Sequence, residues 1–359
     1  MKPHEDINKA APMVSRSYVY WAFVAVGFIA VTIAFLFNNG APTVKARQAN
    51  KNTGASPVAP TLFAVASAGT SPRVIPADAW KAPDESTIPA GKAGEMIRYG
   101  KELLVNTAKY LGPQGSVAHI SNGMNCQNCH LAAGTKLFGN NYLGFIASFP
   151  KLSPRSGNME PPSQRIAECF KRSLSGKVPD TSKKEVQSML AYMRWIGRGV
   201  RKGQQLFGSG TERLAFMDHA ADPVKGKTVF LLKCQSCHGS NGQGLMAADK
   251  RSFTYPPLWG KQSYTDAAGM YRLTNLAGFV KNNMPFGATY ERPQLTDEEA
   301  WNVAAFVNMQ PRPHQDQHKD WKDLKKKSLD FPFGPYADNF SEKQHKLGPF
   351  KPIRNAQKN

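Results

Sequence analysis

The 359-residue chain is short of acid. Its 26 Asp and Glu face 46 Lys and Arg, a formal net charge of +20. Such a balance disfavours cationic partners and favours nucleic acid, an anionic membrane surface, an acidic protein or a small anion. The basic residues are scattered and no nucleic-acid-binding motif accompanies them, so nucleic acid is not an expected partner. Cysteine is scarce too. Five residues cannot form a framework of disulfides alone without leaving one thiol over, which moves the expectation toward a cofactor.

Charge is absent altogether from Ser17 to Val44, and Tyr18 to Phe37 is almost continuously apolar. Twenty residues at about 1.5 Å each span roughly 30 Å, the thickness of a bilayer's hydrocarbon core. Tyr18, Tyr20 and Trp21 sit at one end of the run, where aromatic rings suit the interface. A signal peptide has a shorter apolar region and a small-residue cleavage site, and Asn38-Asn39-Gly40 is a poor one. The expectation is a cytoplasmic segment over 1–16 and an uncleaved transmembrane anchor over 17–37; secretion after cleavage is the alternative. Lys2, Lys9 and Arg16 on one side are balanced by Lys45, Arg47 and Lys51 on the other, so basic residues give no orientation.

Residues 38–80, rich in Ala, Pro, Thr and Ser, read as a tether. Helical periodicity follows. Gly94 to Leu111 has apolar positions at Ile97, Leu104 and Ala108, and Ser163 to Leu174 follows Pro161-Pro162. Ser182 to Ile196 opens on the capping box Ser182/Glu185 and stops at Gly197 and Gly199. The plan then repeats. Asp222 to Leu232 reads as a helix, a long loop with Pro256-Pro257 follows, and a last helix starts from the capping box Thr296/Glu299. From Pro311 the chain is polar, basic and Pro-rich, with aromatic islands such as Phe331-Pro332-Phe333. That composition fits either a disordered tail or one docked on what precedes it.

The cysteines explain the repeat. Cys126-Gln127-Asn128-Cys129-His130 and Cys234-Gln235-Ser236-Cys237-His238 both read C-x-x-C-H, 108 positions apart. In this arrangement two thiols form thioethers to haem vinyl groups and the adjacent histidine ligates iron. The fold class expected is mainly α: two tandem cytochrome c-type haem domains with long loops, over 81–205 and 206–310, behind an N-terminal transmembrane helix and before a tail over 311–359. Two covalently bound haem c groups are expected, with Cys126, Cys129, Cys234 and Cys237 as attachment points and His130 and His238 as iron ligands. Haem is attached outside the bacterial cytoplasmic membrane, which orients the anchor and places both domains on the periplasmic side.

Each iron has a sixth position. In the second module Met284, followed by Pro285, precedes the last helix and suits a ligand that raises the potential; Met246, Met270 and Met309 are rivals. The first module offers Met159 in a loop and Cys169 on a helix. Arg165, Cys169 and Ser173 recur at i, i+4 and i+8, beside an apolar stripe of Ile166, Phe170 and Leu174. Such a helix buries one stripe and turns a cation, a thiol and a hydroxyl toward one space. That set points to chemistry on an anion.

With these residues in view, the sequence resembles the tetrathionate-forming thiosulfate dehydrogenases, a family of dihaem cytochromes c, from about Trp80 to Ile353. The likeness is carried by Asn122-Gly123-Met124-Asn125, Arg165-Ile166, Cys169-Phe170, Arg172-Ser173, Pro256-Pro257-Leu258-Trp259-Gly260, Asn283-Met284-Pro285 and Gln310-Pro311-Arg312-Pro313. The resemblance implies that His130 and Cys169 ligate the first haem, the active site, and that the Cys169 sulfur carries a covalent substrate adduct. It further implies that Arg165, Ser173 and Arg155 bind substrate, and that the second haem passes electrons to an external acceptor such as a small cytochrome c. Some relatives have a lysine before the methionine ligand that competes for iron; Asn283 stands there, so no ligand switch is expected. The N-terminal anchor departs from soluble relatives. Two alternatives remain from the residues: a sulfur-oxidation cytochrome that couples thiosulfate to a carrier protein's cysteine, and an anchored dihaem electron shuttle, which a Met159 ligand would favour.

Overall fold

The computed structural model describes residues 73–358, all of which belong to one compact unit, Ser67–Asn359. The segments expected over 1–16 and 17–37, and most of the tether over 38–80, lie outside the described residues. Among the described residues no helix is long and apolar enough to cross a membrane.

The architecture is mainly helical. The first half contains α1 (Gly91–Val105), α2 (Thr107–Leu111), α3 (Pro162–Arg172) and α4 (Lys184–Ile196). The second contains α5 (Pro223–Lys233), α6 (Gln235–His238), α7 (Leu273–Asn283) and α8 (Asp297–Asn308), and the tail adds α9 (Glu342–Leu347) and α10 (Phe350–Ala356). Sheet is limited to two short antiparallel pairs among these residues: β1 (Lys151–Leu152) with β2 (Met159–Glu160), and β3 (Leu245–Met246) with β4 (Phe253–Tyr255).

The repeat shows in how the helices cross. In the first half α1 packs on α4, and in the second α5 packs on α8. Each crossing is set by a glycine. A Cβ at Gly100 would lie 1.9 Å from the Ser188 carbonyl oxygen, and one at Gly226 would lie 1.9 Å from that of Asn302. The backbones approach so closely that no larger residue fits without parting the helices. We expect Gly226→Ala to lower stability by about 1–3 kcal/mol through this overpacking. A urea midpoint unchanged from wild type would contradict the close crossing.

Local signals set some boundaries and not others. The Thr296/Glu299 capping box forms as expected: Glu299 N donates to Thr296 Oγ1 at 3.0 Å, and Thr296 N donates to Glu299 Oε2 at 2.8 Å. The Ser182/Glu185 box does not. Both the backbone N–H and the hydroxyl of Ser182 donate to Asp180 Oδ1, at 2.9 and 2.7 Å. A carboxylate is the stronger acceptor, so Ser182 is drawn into a turn closed by Asp180 and α4 starts after Lys183. The expected helix over Gly94–Leu111 breaks at Asn106 into α1 and α2. Helix α7 stands where a long loop was expected. Thr274, Asn275, Gly278, Asn282 and Asn283 are weak helix formers, and the helix is held by burial of Leu273, Leu276, Ala277 and Phe279.

The tail is docked. Phe331, Phe350 and Ile353 are buried, and Phe350 packs against Trp301 of α8 and Phe216. Asp330 accepts from Arg272 Nε at 2.8 Å and Nη2 at 2.5 Å, and from Thr274 N and Oγ1 at 3.1 and 2.6 Å. That carboxylate fixes the tail to the start of α7.

Candidate active site

The first C-x-x-C-H is pinned to the start of α2. Asn125 Oδ1 accepts from Ala108 N at 2.9 Å, and Cys126 N donates to Thr107 Oγ1 at 2.9 Å. The same hydroxyl oxygen lies 3.2 Å from Cys126 Sγ. Beyond His130 the chain turns through left-handed Ala132, Ala133 and Gly134. Gly134 has room for no side chain: a Cβ would lie 2.0 Å from the Tyr142 ring. That ring stacks on His130, centroids 4.4 Å apart. His130 Nδ1 lies 2.5 Å from the Asn140 carbonyl oxygen. A carbonyl only accepts, so the proton sits on Nδ1 and Nε2 keeps the lone pair that ligates iron. Desolvation drives the His130 pKa down to about 4, opposed by the Asn140 bond and aided by nearby Arg165, so the ring is neutral at pH 7.

These groups open on a cavity of about 810 Å³. Cys126, Cys129 and His130 line it, and so do Arg165, Cys169 and Ser173 from α3 and its C-cap. The adjacent stripe, Ile166, Phe170 and Leu174, is buried, and with Leu104, Met124, Met189 and Met193 it supplies an apolar wall. Burial pushes the Cys126 thiol up to about 11 and the Cys129 thiol up to about 12, so both are protonated at neutral pH. Two thiols, one imidazole with a free nitrogen and an apolar wall fit a haem c attached at Cys126 and Cys129 and ligated by His130. Cys169 is the third thiol on the same cavity. Met159 is 61% exposed on β2 and is not part of the wall.

Arg155 is not on the wall either. Its Nη2 donates to the Ala267 carbonyl at 3.4 Å, and its guanidinium faces the Trp321 ring, 5.8 Å from the centroid. Desolvation, then the charges of Arg165 and Arg172, lower its pKa to about 9. It therefore stays cationic at pH 7 and belongs to one electrostatic cluster with Arg165 and Cys169.

At the second motif Cys234 caps α5, and α6 carries Cys237 and His238. His238 is buried, which lowers its pKa, and its Nδ1 lies 2.9 Å from the Pro256 carbonyl oxygen, again leaving Nε2 free. Met284 caps α7 and packs half-buried against the core. Among its rivals, Met309 is 47% exposed, Met246 is half-buried on β3, and Met270 is buried on the wall of the first cavity.

The wall also holds residues that local pattern did not single out: the loop from Ser209 to Phe216, Arg272, and Leu329 and Arg354 of the tail. Glu212 of that loop is held by Arg73 Nη2 at 2.5 Å and Asn282 Nδ2 at 2.8 Å. Its backbone presses on α7 where a Cβ at Gly278 would lie 1.8 Å from the Glu212 carbonyl oxygen. A glycine inside a weak helix was the one signal of this approach in the sequence.

The cytochrome c family matches residues 223–310, a stretch that contains Cys234, Cys237, His238 and Met284. The thiosulfate dehydrogenase of Allochromatium vinosum is 37% identical over 242 residues, covering 66% of this chain and 86% of that protein. The thiosulfate dehydrogenase of Stutzerimonas stutzeri is 33% identical over 231 residues, covering 64% of this chain and 72% of that protein. The chain belongs to the thiosulfate dehydrogenase family of cytochromes. A solved thiosulfate dehydrogenase from Marichromatium purpuratum superposes with a TM-score of 0.62 at 28% identity, over 72% of this chain. This chain spans 54% of that chain's length. Membership brings with it the cytochrome c fold and covalently bound haem c.

Proposed function

We propose that the chain is a dihaem thiosulfate dehydrogenase: two thiosulfate dianions join to give tetrathionate and two electrons, which pass to an external acceptor such as a small cytochrome c. The observation that carries this is the single wall shared by Arg165, Cys169 and Ser173 with Cys126, Cys129 and His130. Haem c would be held at Cys126, Cys129 and His130, and again at Cys234, Cys237, His238 and Met284, and would supply one-electron acceptance at each site.

The side chains do the rest. Two dianions repel, and Arg165, with Arg155 behind the wall, offsets that repulsion electrostatically. Ser173 offers a hydroxyl to a sulfonate oxygen. Cys169 thiolate and the outer sulfur of one thiosulfate form a disulfide bond as two electrons leave. The second thiosulfate then attacks the outer sulfur of that adduct, forming tetrathionate and releasing Cys169 as thiolate. Atoms and charge balance, and each step is reversible, so the same site serves tetrathionate reduction when electrons are supplied.

Two domains, over 81–205 and 206–310, belong to this proposal. So does periplasmic placement behind the anchor over 17–37, supported by the uncharged run and by the site of haem attachment. The shuttle alternative needs no thiol in register with Arg165 and Ser173 and is favoured by a Met159 ligand, which the exposure of Met159 disfavours. Rapid mixing of the oxidised holoprotein with thiosulfate alone tests the proposal. Reduction of the haem bands without any second protein is expected; a spectrum that stays oxidised contradicts it.

A further inference from the structure

We propose that Arg172 is a positioning residue that keeps the carboxylates of Glu168 and Asp320 off Arg155 and Arg165, so that these two cations remain open to a small dianion. The inference rests on the anion-binding role given to Arg155 and Arg165 above.

The geometry is that of a double clamp. Arg172, 6% exposed, donates from Nε to Glu168 Oε2 at 2.7 Å and from Nη2 to Asp320 Oδ1 at 2.9 Å, with Nη1 2.8 Å from Asp320 Oδ2. One guanidinium thus engages both carboxylates, each through one hydrogen bond, with a second close ion-pair contact to Asp320. Neither Arg155 nor Arg165 has a carboxylate partner among the described residues. Both carboxylates are within reach of the other cations. Glu168 lies at i+3 from Arg165 on α3 and at i−4 from Arg172, so the helix allows it either partner. Asp320 precedes Trp321, whose N–H donates to the Arg155 carbonyl at 2.8 Å and whose ring faces the Arg155 guanidinium. Asp320 is close enough that its charge raises the Arg155 pKa.

If Arg172 lost its charge, Glu168 would turn to Arg165 and Asp320 to Arg155. Each would compete with the substrate from within the protein. The tail would then carry an internal competitor where it now carries a harmless partner.

The test uses the oxidised, full-length holoprotein and sulfate, an inert tetrahedral dianion, titrated by calorimetry. We expect Arg172→Gln to weaken sulfate binding about tenfold, the effect of one partly buried charge-assisted pair per cation, with the thiosulfate KM rising in parallel. The triple variant R172Q/E168Q/D320N should return both to within about twofold of wild type, because the freed competitors are gone. A purely structural role predicts no such rescue. A wild type that binds no sulfate, an R172Q variant that binds it as wild type does, or a triple variant as weak as R172Q overturns the proposal. Should R172Q fail to fold, Arg172→Lys decides, because an ammonium lacks the fork that holds two carboxylates at once: sulfate binding several-fold weaker than wild type, restored when Glu168→Gln and Asp320→Asn are added, supports the proposal, and binding as in wild type overturns it. A wild type that makes no tetrathionate but obeys this sulfate series would separate failure of the enzymatic reading from failure of the shielding.

Discussion

Replacing Cys169 with glycine is expected to lower tetrathionate formation by at least about 10³-fold while both haems stay attached. In the proposal, haem attachment at the first site rests on Cys126 and Cys129, which α3 does not carry. Cys169 reaches the cavity from the other side, at the centre of the stripe that begins with Arg165 and ends with Ser173. On the proposed mechanism, loss of its sulfur removes the atom that would hold thiosulfate and leaves the second thiosulfate no electrophilic sulfur to attack. The absorption spectrum of the first haem should also change, because a sulfur facing the site is lost. Glycine in a helix costs about 1 kcal/mol relative to alanine, so Cys169→Ala serves as the control for stability and should be equally inactive. Haem staining, absorption spectra and turnover on the same preparations provide the check. A variant with full turnover would sink the chemical role of this thiol.

The second large effect lies far from any motif. Asp330→Ala is expected to destabilise the protein by about 3 kcal/mol, the low end for a broken buried pair, because the carboxylate is fully buried while its partner Arg272 keeps some contact with water. Asp330 is 1% exposed and accepts four hydrogen bonds, two from Arg272 and two from Thr274. Without it Arg272 loses its counter-charge, and the Thr274 N–H at the first turn of α7 loses its acceptor. The tail would then detach at the point where it covers the cavity through Leu329. Thermal unfolding should shift down by about 6 °C or more, with Asp330→Asn intermediate because it keeps the shape and part of the bonding. A midpoint within a degree of wild type would show that the tail is not needed for the stability of the unit.

These two predictions mark what was legible in the sequence. The C-x-x-C-H motifs, the Thr296/Glu299 cap and the α3 stripe are local patterns, set by spacing along a few turns; the cap forms, and the stripe shares one cavity with Cys126, Cys129 and His130. Ser182 misled because the competing acceptor, Asp180, lies in the turn just before it. Helix α7 escaped because its propensity is poor and its stability comes from burial against partners distant in sequence. The reach of the tail escaped for the same reason. Asp330 meets Arg272 and Asp320 meets Arg172 across gaps that no periodicity reports. Composition left disorder and docking equally open for residues 311–359, and pairings such as these account for the docked state.

The most direct measurement is tetrathionate production by the isolated full-length holoprotein given thiosulfate and ferricyanide, an artificial one-electron acceptor. The account predicts one tetrathionate for every two thiosulfates consumed and two ferricyanides reduced, with no second protein present. No tetrathionate in that assay, and none consumed in the reverse assay with reduced dye, would contradict it and leave an electron shuttle as the function of the chain.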